Sequence, residues 1–142
     1  MNAIQIVLDT NVVYAALRSK RGASYLLLSL LDSNKFEINL SVPLVIEYED
    51  VLKRKQNTLA FSTAQIEKFL DYLCVAGNWH EVYFLWRPIL NNPEDDMLLE
   101  LAVKANCPYI VTYNKRDFRG VEKFGIQLAT AKEFLKIIEE LS

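Results

Sequence analysis

The sequence predicts an α/β fold, a mostly parallel sheet of about five strands covered by helices on both faces. Three observations carry that expectation. Short strand-like runs alternate with helix-like segments from one end of the chain to the other. The best of these runs, Ile4 to Leu8 (IQIVL) and Tyr109 to Thr112 (YIVT), are apolar along most of their length, as strands buried on both faces are. The 142 residues contain no internal repeat, low-complexity stretch or linker, so residues 1–142 read as one domain able to bury a core unaided.

The first strand, Ile4 to Leu8, stops abruptly at Asp9. Asn11 to Arg18 reads as a helix, broken by Gly22. Ala23 to Asp32 (ASYLLLSLLD) reads as a second helix, apolar nearly all round and therefore buried or at an interface. Phe36 to Leu40 (FEINL) is the second strand. Ser41 then caps a helix with Pro43 in its first turn, running to about Lys55. Ser62 and Gln65 form a capping box for a helix to Ala76, with Gly77 as its stop. Trp79 to Leu85 is a candidate strand and Pro88 to Glu94 a loop. Asp95 to Ala105 is helical, ended by Asn106 and Pro108. Tyr109 to Thr112 and Ile126 to Ala129 are the remaining strands. Thr130 with Glu133 is a second capping box, opening a last helix to Leu141.

Composition excludes several classes of function. Apolar residues make up 51% and charged residues 24%, an ordinary globular balance. No apolar run approaches the ~20 residues that span a bilayer. The opening MNAIQIVLDTN lacks the basic region of a signal peptide, so a cytoplasmic protein without a membrane partner is expected. Cys74 and Cys107 match no metal spacing and are expected to be buried free thiols. His80 is the single histidine, which argues against a zinc site or a Ser-His-Asp triad. None of the four glycines follows a strand, so no phosphate-cradling loop is present. The net charge of −2 means that a nucleic-acid partner would need a local basic patch.

In parallel α/β sheets, ligands bind beyond the carboxyl ends of the strands, at the switch point. There the sequence places Asp9-Thr10-Asn11 after the first strand, and Ser41 then Glu47 after the second. Glu94, Asp95 and Asp96 head the helix before the fourth strand, and Thr112, Asn114 and Asp117 follow that strand. Carboxylates gathered together repel one another unless a cation neutralises them. An all-oxygen set suits Mg²⁺ or Mn²⁺, ions that activate water for displacement at phosphorus. Each acid taken alone has a plainer reading. Asp9 can cap a helix, and Asp95 and Asp96 favour a helix N-terminus. Glu47 shares a helix face with Leu44 and Val51, at the edge of the apolar side. Asp117 and Asn114 can stabilise a turn in NKRDFRG. Glu49 with Lys53 and Asp50 with Arg54 read as solvated surface pairs. His80 reads as structural, and Trp79, Tyr83, Phe84 and Trp86 as core or dimer-surface aromatics.

Taken in order, these segments resemble the PIN-domain family across almost the whole chain. The carrying motifs are IVLDTNVVYAAL, LSVPLVIEYEDVLKR, NNPEDDMLLELAVKANCPYIVT and NKRDF. The whole is similar to the VapC-like subgroup described as toxin components of bacterial toxin–antitoxin pairs. The resemblance implies a three-layer α/β/α sandwich and a Mg²⁺- or Mn²⁺-dependent endoribonuclease. It implies Asp9, Glu47 and Asp95 as metal-holding catalytic acids, with Asp117 as a fourth acid. Asp95 matches better than Asp96 because it lies seven residues before Ala102; Asp96 becomes a neighbouring, supporting residue. Thr10, Asn11, Thr112 and Asn114 are expected to orient the ligands. Asn114 departs from the Asp found in many members, which makes Asp117 the substitute. Lys115, Arg116 and Arg119, with Arg18 or Arg21, are candidate contacts to RNA phosphates or plain solubilising charges. A homodimer and a cognate antitoxin are implied as partners, with Tyr25 to Leu31 and Ile66 to Leu73 serving as surface or as core. The alternative is a catalytically weak PIN-like module that binds RNA or protein. Two unrelated readings fit less well. A haloacid-dehalogenase-type phosphotransferase wants an acid where Asn11 stands. A receiver-type domain wants an Asp after strand three and a Lys after strand five.

Overall fold

The computed structural model of the protein describes residues 3–82, 90 and 93–140. It is a three-layer α/β/α sandwich built on five parallel strands. These are β1 (Ile4–Leu8), β2 (Phe36–Leu40), β3 (Asn78–Trp79), β4 (Tyr109–Val111) and β5 (Gln127–Ala129), in the order β3-β2-β1-β4-β5. The helices are α1 (Thr10–Arg18), α2 (Ala23–Ser29), α3 (Val42–Arg54), α4 (Thr63–Ala76), α5 (Pro93–Lys104) and α6 (Ala131–Glu140). Among the described residues, no helix is long and apolar enough to cross a membrane.

β1 lies at the centre because both of its faces are apolar: Ile6, Val7 and Leu8 are consecutive and all buried. Phe134 of α6 meets Phe36 of β2 and Tyr109 of β4 edge-on, at centroid separations of 5.6 and 5.5 Å. α5 crosses β1, β2 and β4. The chain leaves β1 toward β2 and returns later to β4 on its other side, so the switch point lies between the carboxyl ends of β1 and β4. The ladder continues one residue past β1, where the Asp9 N–H donates to the Val111 carbonyl at 2.9 Å.

The capping signals act as the sequence suggests. Ser41 Oγ accepts from Leu44 N, and Ser62 with Gln65 and Thr130 with Glu133 form reciprocal boxes. Asn106 takes a left-handed backbone with φ 55°, and Cys107 N donates back to Ala102 O to close α5.

Other boundaries differ from expectation. α2 stops at Ser29, short of Asp32, and a run of tight turns follows it. Its Tyr25 and Leu26 are exposed while Ser24, Leu27 and Leu28 are buried, so this helix is one-sided rather than enclosed. On α4, Ile66, Leu70 and Leu73 belong to the core. Among the described residues the third strand is Asn78–Trp79 only; Tyr83, Phe84, Leu85 and Trp86 lie outside the described residues. α5 begins at Pro93 rather than Asp95, because a proline is suited to a first helical position. The rest of the expected 88–94 loop, Leu90 apart, lies outside the described residues, as does Leu141. Cys107 is buried, but Cys74 is only half-buried. His80 is structural: its Nε2 pairs with the buried Asn39 side chain at 2.8 Å.

Gly77 ends α4 for a reason other than a left-handed cap. Its φ is −87°, open to any residue. A Cβ there would lie 2.5 Å from Cδ1 of the buried Leu40 and 3.2 Å from the Leu73 carbonyl. The glycine lets the end of α4 press onto β2. Gly77→Ala is therefore expected to destabilise the fold by about 1–3 kcal/mol through overpacking. The check is a lowered urea midpoint at unchanged slope, and an unchanged midpoint would show that Leu40 yields freely.

Candidate metal centre

Asp9 is fixed twice over by its position. It follows the buried central strand, and it is also the N-cap of α1, with Oδ1 accepting from Thr10 N at 2.8 Å. Its other oxygen, Oδ2, accepts from Thr112 Oγ1 at 2.7 Å and from Asn11 Nδ2 at 3.3 Å. Thr112 is fully buried just past β4, and its hydroxyl also accepts from Asn114 N at 2.9 Å. Asn11 Oδ1 in turn accepts from Tyr113 N at 3.3 Å. The ends of β1 and β4 are thus tied together through one carboxylate. Glu47, one turn into α3, is held by the Thr10 hydroxyl, which donates to Glu47 Oε2.

These groups open onto a cavity of about 230 Å³ lined by Asp9, Thr10, Asn11, Tyr14, Glu47, Val51, Lys55, Glu94, Asp95, Asn114 and Asp117. Five carboxylates on one wall affect one another strongly. Burial pushes the Asp9 carboxyl above the usual range, against the hydrogen bonds from Thr112 and Thr10 that favour its charge. Glu47 is pushed up to about 7, chiefly by burial and further by a hydrogen bond with Glu94 and the charges of Glu94 and Asp9. Asp95 also reaches about 7, through burial and then the charges of Asp9, Asp117, Glu94 and Asp96. Protons relieve this repulsion; a divalent cation would relieve it better. Among the described residues, no trio of His, Cys, Asp or Glu is already gathered into a metal-holding group. What fits Mg²⁺ or Mn²⁺ is the chemistry of the set, which is all oxygen and repelled by its own charge.

The structure separates residues that adjoin in the sequence. Asp95 lines the cavity, whereas Asp96 is buried and its Oδ1 accepts from Leu90 N at 2.8 Å, so its role is to hold that backbone. Asn114 lines the cavity and makes no side-chain cap; its carbonyl accepts from Asp117 N. Lys115 is paired with Glu133 at 2.5 Å and faces α6. Arg116 and Arg119 are exposed on the same turn and do not line the cavity. Arg18 is the last residue of α1, roughly 13 Å from Asp9 at the helical rise per residue, and Arg21 lies beyond that end. Glu49–Lys53 and Asp50–Arg54 form surface pairs as expected.

Of the polar lining residues, Glu94 is legible only as one of three acids heading α5, and Tyr14 and Lys55 escape a motif reading. Helical spacing identifies the last two. Tyr14 follows Asn11 at i+3, and Lys55 completes the stripe Glu47, Val51, Lys55 at i, i+4, i+8.

The fold has a solved counterpart. The crystal structure of VapBC2 from Rickettsia felis, bound to a DNA fragment from their promoter, superposes with a TM-score of 0.61 at 17% identity, covering 89% of this chain and 98% of that one. No curated protein matches the sequence significantly. The PIN domain family model matches residues 5–116, from β1 with its Asp9 through the loop of Asn114. Because that match takes in most of the sequence and every strand but the last, the chain belongs to the PIN domain family.

Proposed function

We propose that the protein is a divalent-metal-dependent endoribonuclease that hydrolyses RNA phosphodiester bonds at this cavity. The carrying observation is the acidic wall itself: Asp9, Glu47, Glu94, Asp95 and Asp117 face one space at the switch point of the sheet. Membership of the PIN domain family supports the reading.

Asp9, Glu47 and Asp95 would hold a Mg²⁺ or Mn²⁺ ion, with Asp117 and Asn114 lining the same cavity. When bound, such an ion lowers the pKa of a coordinated water and offsets charge on phosphate oxygens. The protein's own groups set the stage. Thr112 and Asn11 fix the Asp9 rotamer from one side and the Thr10 amide fixes it from the other. The Thr10 hydroxyl aims Glu47. Carboxyls poised near 7 lose their protons readily to an arriving cation.

The likeness to VapBC2 and the toxin-type motif set support a second part of the proposal. The chain would act as the toxin of a pair, as a homodimer checked by a cognate antitoxin protein.

The test is incubation of purified protein with a mixed RNA pool in Mg²⁺, in Mn²⁺ and in chelator. Cleavage is expected with either ion and none with chelator. A folded protein that neither cleaves nor takes up Mn²⁺ would overturn the enzyme and leave the binding-module reading in its place.

A further inference from the structure

We propose that Lys55 is the phosphate contact of the cavity, and that Tyr14 is the positioning residue that holds it there. The inference rests on the nuclease reading and deepens it, since it names how a single-stranded RNA chain is held beside the acidic wall.

Lys53, Arg54 and Lys55 are three consecutive cations at the end of α3, with different fates. Lys53 is paired with Glu49 and Glu67, both at 3.2 Å, and Arg54 with Asp50 at 3.3 Å, all on the outer surface. Lys55 turns the other way and lines the cavity, the one cation among its lining residues. No carboxylate among the described residues forms an ion pair with it. Its ammonium instead lies 4.9 Å from the centroid of the Tyr14 ring. The ring is itself anchored, because the Tyr14 hydroxyl pairs with Thr58 Oγ1 at 2.6 Å and that hydroxyl donates to the Lys55 carbonyl at 2.7 Å. Lys20 stands 5.9 Å from the Phe61 ring centroid, and the Phe61 carbonyl accepts from Gln56 at 3.3 Å, so a second cation over a ring adjoins the same turn.

A lysine meant to quiet the acids would sit among them. This one is parked on a neutral aromatic face in the same cavity, and among the described residues its ammonium makes no hydrogen bond. A nucleic-acid backbone entering the cavity brings anionic oxygens, for which an unpaired ammonium is a ready partner. Tyr14 keeps that ammonium in reach without consuming its charge.

The experiment is binding of a fluorescein-labelled single-stranded RNA oligonucleotide, followed by anisotropy over a range of salt in Ca²⁺ or chelator, so that cleavage does not intervene. Lys55→Ala is expected to weaken binding by about fivefold and to flatten the log K against log salt slope by roughly 0.7. Lys55→Arg retains binding. Tyr14→Ala weakens it with the slope unchanged, since no charge is lost, and Tyr14→Phe does so less. Lys53→Ala removes the same charge from the outer surface and leaves binding as it was. Circular dichroism confirms the fold of each variant. If Lys55→Ala binds like wild type, or no more weakly than Lys53→Ala, the inference fails while the nuclease reading stands. If wild-type protein binds no RNA under any of these conditions, both fail together.

Discussion

Replacing Asp9 with Asn is expected to cut metal-dependent RNA cleavage by about a hundredfold to a thousandfold while leaving the fold intact. The substitution keeps the shape of the side chain. One oxygen remains to cap the Thr10 amide, which Asp9 Oδ1 now does at 2.8 Å. The Thr112 hydroxyl, which donates to Oδ2, can rotate to accept from an amide instead. What is lost is the charge at the centre of the acidic wall. Asp9 is one of the charges that raise both Glu47 and Asp95, so its neutralisation also relieves repulsion in the metal-free protein. The metal-free Tm should therefore rise even as cleavage disappears. Thermal melts in chelator and a timed RNA digest measure the two effects. Cleavage at the wild-type rate would sink the assignment of Asp9, and a fallen Tm would show that its hydrogen bonds matter more than its charge.

The second large effect is an exchange between protons and metal. Glu47 and Asp95 titrate near 7 in the folded chain, against about 4 when unfolded. Between those values the folded state binds more protons than the unfolded one, so stability falls as pH rises through the interval. Glu37 and Glu133 are shifted the other way, downward, and act below this window. In chelator, the protein should melt at a higher temperature at pH 5.5 than at pH 8. Mn²⁺ competes with those same protons, so its stabilisation should be large at pH 8 and small at pH 5.5. At a concentration of 100 times its Kd, an ion contributes about 2.7 kcal/mol, enough to reverse the order. Calorimetric melts at the two pH values, with and without Mn²⁺, decide it. Equal shifts at both pH values would mean that the ion binds away from Glu47 and Asp95.

The parts of the molecule that were legible in the sequence are those set by local chemistry. A buried strand that ends in Asp9 announces both the centre of the sheet and its functional edge. Ser62 with Gln65 and Thr130 with Glu133 mark helix starts because capping spans only a few residues. The unread parts depend on distant neighbours. The spacing to Ala102 favours Asp95 over Asp96 as the site acid, but what Asp96 does instead is set by the packing of α5, which turns it to Leu90. Lys115 looks free to meet phosphate until α6 brings Glu133 beside it, and in the sequence that glutamate signals only a capping box. Lys55 was hidden among three cations whose partners come from α1, α3 and α4. Gly77 reads as a helix stop, whereas its requirement comes from Leu40, more than thirty residues away in β2.

The Lys115–Glu133 bridge reaches past the end of the family match at residue 116. Residues C-terminal to that point also serve the fold: Thr112 N donates to the Ala129 carbonyl, and Phe134 packs against Phe36 of β2 and Tyr109 of β4. The segment matched by the family model is therefore smaller than the packed unit it belongs to. Asp117 takes its position from a turn fastened to α6, so a change in the final helix reaches the mouth of the cavity through one ion pair. The segment after residue 116 lies outside the family match, yet the sheet and the cavity both lean on it.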